Sequence, residues 1–192
     1  RLSLTAPSAI VADTTRQTVE LLAIANEEGI DLSRRAAWKA LQAEHTFTTT
    51  AAAVQVGGIP SDFDWMIPET IFNRSTNRFI DGPVDIAEWQ RIQSSLVTRV
   101  FSAYRIRGAD FLFTPTPAAG ETIAYEYMTK NWCESSGGSG QSAWTADTDV
   151  PRLDAEIMTQ GIIWRFLKLH GSDHADHFQE YSRNVAQRIL RE

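Results

Sequence analysis

The chain has one cysteine, few lysines and no long apolar run. Because Cys133 is the single cysteine among 192 residues, no disulfide can form within the chain, and folding does not require an oxidising compartment. No apolar stretch approaches the roughly 18 residues of a membrane span. The first residues also lack the charged and then apolar pattern of a secretory signal. These absences predict synthesis in the cytoplasm and no membrane partner.

Positive charge is also scarce, since the formal net charge is −6. A protein that clamps nucleic acid by ion pairing with phosphates needs a basic face, so the composition argues against that class. Three of the 18 basic residues are lysines and the others are arginines, and the chain has six tryptophans. Arginine and tryptophan are enriched at the anchor positions of protein interfaces. The composition favours protein partners, although arginine-rich codon usage would give the same arginine bias.

Signatures of catalysis are missing as well, since no GxSxG, GxGxxG or P-loop pattern occurs. The densest group of metal-ligand residue types is His170, Asp173, His174 and His177. His174 and His177 have the i, i+3 spacing with which two helical residues share a metal, as in a metal-dependent hydrolase. The group lacks the HExxH order, and aspartate is ordinary at a helix start. We therefore predict no metal, no cofactor and no enzyme activity.

Three aspartates form a second candidate metal site, with the spacing D-x-D-x4-D at Asp147, Asp149 and Asp154. Such oxygen ligands suit Ca²⁺ or Mg²⁺, but the turn glycine and terminal glutamate of an EF-hand are absent. We expect instead that Asp147 or Asp149 caps the helix that follows Pro151. Cys133 has no neighbouring residues typical of a catalytic nucleophile, so we expect a buried or loop thiol.

Apolar residues that alternate with period two predict an antiparallel sheet. Residues 101–107 and 111–114 form a predicted hairpin through Gly108, and residues 122–129 add a third strand, so that the three form a meander. Pro115, Pro117 and Gly120 supply the turn before the third strand. Its Tyr125 and Tyr127 favour sheet core. A ligand-binding face, in a monomeric binding module, is the alternative.

Helical spacing and capping residues predict the remaining elements. A first helix is expected to end at Gly29, and Asp85 with Glu88 forms a capping box that starts a short helix. A long helix is expected to reach His170, with Gly171 as its stop, and Ser172 or Asp173 caps a last helix.

Together these elements predict an α+β fold in a single domain. The N- and C-terminal helices, in residues 1–44 and 150–192, form a helical bundle. Residues 45–133 form an inserted antiparallel β-sheet (meander) region with a short helix. Residues 134–149 are rich in glycine and serine, which predicts a flexible loop.

Aromatic, glycine and proline residues recur in a definite order along nearly the whole chain. They are Trp38 to Leu41 followed by Phe47, Ile59-Pro60 with Phe63, Gly82-Pro83 with Trp89, Tyr104-Arg105 with Gly108, Pro115 and Pro117 with Gly120-Glu121, Tyr125 and Tyr127, Asn131-Trp132, Asp147, Asp149 and Pro151, and Trp164-Arg165. In order and spacing, this set resembles the head-to-tail adaptor (connector) proteins of tailed bacteriophages.

The resemblance implies a structural virion protein made in the host cytoplasm. It implies a helical bundle with a β insertion that assembles as a homo-oligomeric ring, commonly a dodecamer. Such a ring sits beneath the portal protein, joins a tail or stopper protein, and lets genomic DNA pass through its lumen without sequence-specific binding. The family has no shared catalytic residues, so the resemblance assigns none to this chain.

The last helix is predicted to dock toward the portal. Phe178, Tyr181, Val185 and Ile189 form an apolar stripe, and Leu190 adjoins it. A terminal helix can leave a bundle without unfolding a sheet. The alternative is that the stripe closes the subunit's own bundle, and the family resemblance favours docking.

Overall fold

Four helices carry most of the regular structure. The computed structural model describes residues 9–95 and 100–192. Within these ranges the helices are α1 (Arg16–Ser33), α2 (Ile86–Ser94), α3 (Ala155–Leu169) and α4 (Ala175–Ile189). Antiparallel strands are inserted between α1 and α3. The predicted α+β class is confirmed, with helices at both ends of the chain and inserted strands.

The chain divides into two compact units. We call Arg1–Leu41 with Lys130–Glu192 the helical unit and Gln42–Thr129 the strand unit. The unit boundaries at 41/42 and 129/130 fall a few residues before those predicted. Residues 130–133 therefore belong with the helices rather than with the insertion.

Among its described residues, the strand unit contains eight strands in two sheets. They are β1 (Gln42–Thr48), β2 (Val54–Gln55), β3 (Phe63–Met66), β4 (Phe72–Asn73), β5 (Arg78–Phe79), β6 (Ala103–Arg107), β7 (Asp110–Thr114) and β8 (Thr122–Thr129). The first sheet has the order β1-β8-β4-β5, with β3 also pairing β8, and the second has the order β2-β7-β6. β1 pairs β8 along its whole length, from Gln42 opposite Met128 to Thr48 opposite Thr122.

The predicted hairpin is present, but the third strand lies elsewhere. β6 and β7 pair from Ala103 opposite Thr114 to Arg107 opposite Asp110. β8 does not continue that sheet and instead pairs β1, β3 and β4, which corrects the meander. The reason lies at the start of β8: Thr49 donates its N–H to Glu121 O (2.8 Å) and accepts from Gly120 N–H (2.9 Å). These bonds attach the turn to the end of β1.

Aromatic side chains form the core of the strand unit. The buried cluster consists of Ile71, Ile80, Tyr104, Phe111, Phe113, Ile123, Tyr125 and Tyr127. Tyr125 donates its hydroxyl to Gly58 O (2.8 Å), and the Tyr127 hydroxyl lies 3.1 Å from both carboxylate oxygens of Asp62. The predicted sheet core is thus confirmed, and the alternative of an open ligand-binding face at Tyr125 and Tyr127 is wrong because both side chains are buried.

The short helix α2 begins as predicted, because Asp85 accepts from the Glu88 N–H at 2.8 Å.

In the helical unit α1 runs past Gly29 to Ser33, so the predicted end at Gly29 is wrong. The glycine serves packing instead: a Cβ there would lie 2.5 Å from ring atoms of Trp132. Trp132 is 1% exposed, and only a glycine lets it approach α1 this closely.

The glycine- and serine-rich segment includes paired backbone. Three two-residue strands, β9 (Cys133–Glu134), β10 (Gly140–Gln141) and β11 (Val150–Pro151), form a sheet in which β9 is central. Ser135 N–H donates to Ser139 O (2.9 Å) and Gly138 N–H to Ser135 O (2.8 Å), which close a tight turn. Part of the predicted loop is therefore a hairpin, and its mobility stays a prediction.

Replacing Gly29 by alanine tests the packing of Trp132. We expect a loss of about 1–3 kcal/mol in the free energy of unfolding, because the added methyl overpacks the indole. This is the net loss, after allowance for the roughly 1 kcal/mol by which alanine is the better helix former. Denaturant unfolding measures the change in free energy. Gly137→Ala is the control, because a Cβ at residue 137 would lie 3.8 Å from its nearest neighbour, Ser135 Oγ. Unchanged or higher stability of Gly29→Ala would contradict the packing role.

Candidate assembly surfaces

A buried carboxylate joins the three helices of the helical unit. Glu28 of α1 has no exposed surface. It accepts from Arg165 Nε of α3 (2.7 Å) and from the Tyr181 hydroxyl of α4 (2.5 Å). A Cβ at Gly161 of α3 would overlap the Glu28 carboxylate, so glycine there makes room for it. Sequence reasoning missed this centre; the one signal was a glycine within the predicted helix.

Arg165 extends the network toward the surface of the helical unit. Its other two nitrogens lie 2.8 Å from Glu27 Oε1 and 2.7 Å from Asp31 Oδ2. Arg35 also binds Asp31 (2.7 Å), and its guanidinium lies 5.3 Å from the ring centroid of Tyr181. Two arginines and three carboxylates thus satisfy one another, so the network serves to fix the helices.

Burial sets the proton affinities of this centre. It raises the pKa of the Glu28 carboxyl above its ordinary value, and the hydrogen bonds from Tyr181 and Arg165 oppose that rise. Burial, and then the bond to Glu28, also raise the pKa of the Tyr181 hydroxyl. The phenol therefore stays protonated and available as a donor at neutral pH.

Two substitutions of Glu28 separate its hydrogen bonds from its charge. We expect Glu28→Ala to cost about 3–5 kcal/mol in the free energy of unfolding, because it removes one partner of a buried ion pair. Glu28→Gln keeps an acceptor and loses the charge. The pKa of Glu28 is higher in the folded protein than in the unfolded chain. The wild type therefore loses stability relative to Glu28→Gln as the pH rises from the unfolded pKa, about 4.3, through the folded pKa.

Denaturant unfolding over that pH range measures both effects. The control is Glu20→Gln on the same helix. Glu20 pairs with Arg16, which is 92% exposed, and losing such an exposed ion pair costs at most about 1 kcal/mol. If the wild type gained stability relative to Glu28→Gln as the pH rose, the role of the buried Glu28 charge would be contradicted. The same would follow if Glu28→Ala lost no more free energy of unfolding than the control.

The network borders an open groove between α1 and the two last helices, which we call the helix groove. Its volume is about 670 Å³. Its lining includes Ile30, Arg34, Trp164, Arg165 and Phe178. Phe178 packs edge-on against Trp164 with ring centroids 5.0 Å apart, and both Phe178 (44%) and Ile30 (39%) are exposed. The helix groove therefore offers apolar side chains that their own subunit covers only in part.

A second, smaller cavity lies on another side of α1, and we call it the apolar cup. Its volume is about 270 Å³. Its large apolar lining residues are Ile10, Val11, Leu21, Leu22, Trp144 and Ile162. Trp144 is held over α1 because its backbone N–H donates to Asn26 Oδ1 (2.9 Å) and its ring packs edge-on against Trp132, with ring centroids 5.1 Å apart.

Two aspartates predicted as helix caps lie at the apolar cup instead. Asp147 Oδ1 accepts from the N–H groups of Ile10 (2.8 Å) and Val11 (3.1 Å). Asp149 Oδ2 accepts from Thr145 N–H (2.7 Å) and Ala146 N–H (2.8 Å), and the Thr145 bond is the main cause that lowers the pKa of Asp149. Asp154, not Asp147 or Asp149, caps α3, since it accepts from the N–H groups of Glu156 and Ile157.

The candidate metal ligands are not brought together. His170 follows α3 as its C-cap, and His174 precedes α4 as its N-cap. Within residues 9–95 and 100–192, no group of three or more His, Cys, Asp and Glu side chains is placed to hold a metal ion. Cys133 is buried, and burial raises its pKa to about 11, so its thiol is poorly reactive.

The predicted docking residues of α4 fall into three groups. Tyr181 (0%) and Val185 (3%) are buried, so these two lie inside the helical unit and not on an exposed stripe. Phe178 lines the helix groove. Ile189 is half-buried, and Leu190 is 87% exposed. Twelve residues of helix span about 18 Å, so Phe178 and Leu190 belong to separate surfaces. A docking role for the accessible residues stays a prediction.

The polar network serves to fix the protein's own helices, while two partly apolar surfaces are left open. That construction is typical of a protein whose work is to contact other proteins. The chain matches the family model described as SU10 adaptor protein over residues 3–192. It therefore belongs to this family of phage head-to-tail adaptors, as the sequence predicted.

Family membership gives the chain a structural role as a component of the phage virion. No curated protein matches the chain at a significant level. Among the described helices, none has the length and apolar character needed to cross a membrane.

Proposed function

We propose that this phage adaptor assembles as a ring, with a dodecamer as the expected form, beneath the portal of a tailed bacteriophage. The ring links the portal protein to a tail or stopper protein and leaves a lumen through which genomic DNA passes. Family membership supports the adaptor role. The ring and its attachment to the portal can each be tested directly.

The observation that carries the proposal is how little of α4 its own subunit covers. Only Tyr181 and Val185 are buried among its 15 residues, whereas α3, of the same length, buries five. A helix anchored by so narrow a stripe has most of its surface available to neighbours. In an adaptor, which must contact several proteins at once, such surface serves assembly.

The helix groove is the surface that we assign to the portal. Ile30 and Phe178 supply exposed apolar contacts, and Arg34 is an exposed cation beside them. Arg35 and Arg165 in the same groove already bind carboxylates of their own subunit. A portal segment that inserts an apolar side chain and places a carboxylate near Arg34 would satisfy the groove.

The charge of the chain suits a DNA passage. Binding DNA releases counterions in proportion to the phosphates that Lys and Arg neutralise. A ring of chains with net charge −6 each would hold the duplex weakly in its lumen and let it slide.

Ile30→Ser tests the portal assignment, and Ile163→Ser is its matched control. Both isoleucines are 39% exposed, but only Ile30 is among the residues that line the helix groove. We expect Ile30→Ser to weaken attachment to portal-bearing heads by about tenfold, the equivalent of about 1.4 kcal/mol, and Ile163→Ser to leave it unchanged. Sedimentation of heads with labelled adaptor measures attachment.

Electron microscopy of the attached adaptor counts its copies. If Ile30→Ser and Ile163→Ser bind portal-bearing heads equally well, the portal does not contact the helix groove. An adaptor that binds heads as a single copy, or heads that bind none, would contradict the ring itself.

A further inference from the structure

We propose that the apolar cup of one copy receives Leu190 of the next copy in the ring. This contact rests on the proposed ring and names the surfaces that close it. Leu190 follows α4 directly and is 87% exposed, the largest exposure among the large hydrophobic side chains described. Because Leu190 is so exposed, it does not occupy the cup of its own subunit.

The size and chemistry of the cup fit this occupant. An apolar cavity of about 150 Å³ is large enough to bind benzene, and the cup measures about 270 Å³. Its walls are aliphatic and aromatic, and Leu21, Leu22 and Trp144 form much of them. A leucine side chain from a neighbour would bury its whole apolar surface there.

Charge complementarity identifies the second copy as the source of that leucine. Among the described residues, the charged ones that line the cup are Asp147 and Asp149, whereas Leu190 is close in sequence to Arg188 and Arg191. In the described part of the chain, Glu192 is the one carboxylate within ion-pair distance of Arg188, at 3.6 Å. Insertion of Leu190 would bring these arginines toward the two aspartates of the cup.

Such a contact builds a ring when it is made head to tail. The cup and Leu190 are different surfaces of one chain, so a copy whose cup holds one neighbour's leucine can place its own Leu190 in the cup of a third copy, whereas a reciprocal exchange between two copies would stop at a dimer. A heterologous contact of this kind repeats head to tail and closes when its rotation divides a full turn.

Cross-linking tests the contact directly. Ala146 lines the cup and is exposed, so an Ala146→Cys chain mixed with a Leu190→Cys chain should give a covalent pair on mild oxidation of the assembled protein. Leu169→Cys, at another exposed leucine (58%), replaces Leu190→Cys in the control and should give none. Native Cys133 is fully buried and stays in both chains.

Association gives an independent readout. Leu190→Ser should weaken ring formation by about 10- to 100-fold, as expected for losing one buried leucine at a contact, while Leu169→Ser should not. Light scattering against protein concentration measures ring formation, and circular dichroism checks that both variants fold.

Each other result overturns the proposal. If rings form but no cross-link does, and if Leu190→Ser forms rings as well as the wild type, the contact between Leu190 and the cup is wrong. The proposed ring would then still hold. Normal rings of Leu190→Ser that fail to join heads would assign Leu190 to the portal. A wild-type chain that forms no ring, alone or on heads, would refute the proposed function and this contact together.

Discussion

The helical unit depends on one constraint, which is that the buried Glu28 carboxylate must keep its partners. An ionised carboxylate without exposed surface is costly unless charged or hydrogen-bonding groups surround it. Arg165 and Tyr181 meet that need from two different helices. Any shift of α3 or α4 against α1 would break one of these bonds. The helix groove and the apolar cup are both built partly on α1, so their shapes follow from the same arrangement.

The strand unit is held in a different way. β8 pairs β1 on one edge and β3 and β4 on the other, and its tyrosines pack into an aromatic core. The Tyr125 hydroxyl donates to the buried Gly58 O, and the Tyr127 hydroxyl donates to the half-buried Asp62 carboxylate, so neither hydroxyl is left unsatisfied in the core. In each unit, the buried polar groups described above serve stability. Function is left to surfaces, as suits a structural member of the SU10 adaptor family.

Such a division of labour explains why motifs of catalysis were absent while the family was still recognisable. Packing residues such as Trp38, Trp89, Tyr104 and Trp132 are buried, and these are among the residues that carried the resemblance to head-to-tail adaptors. An adaptor preserves its shape by such packing and contacts its neighbours through side chains of ordinary type. The order of its core residues therefore identifies it better than any single site.

Local chemistry in the sequence determined the elements that depend on near neighbours. The β6–β7 hairpin, the Asp85 cap and the stop of α3 before Gly171 follow from turn and capping residues. Only the tertiary structure decided which elements pair or pack. Period-two spacing gives a strand its two faces but not its partner, so β8 could not be assigned to β1. Helical spacing likewise marks an apolar stripe without saying what covers it, so it does not show that Tyr181 and Val185 of the predicted docking stripe are buried in the helical unit. The Glu28 centre was equally invisible, because its three members lie far apart in sequence and are joined only by the fold.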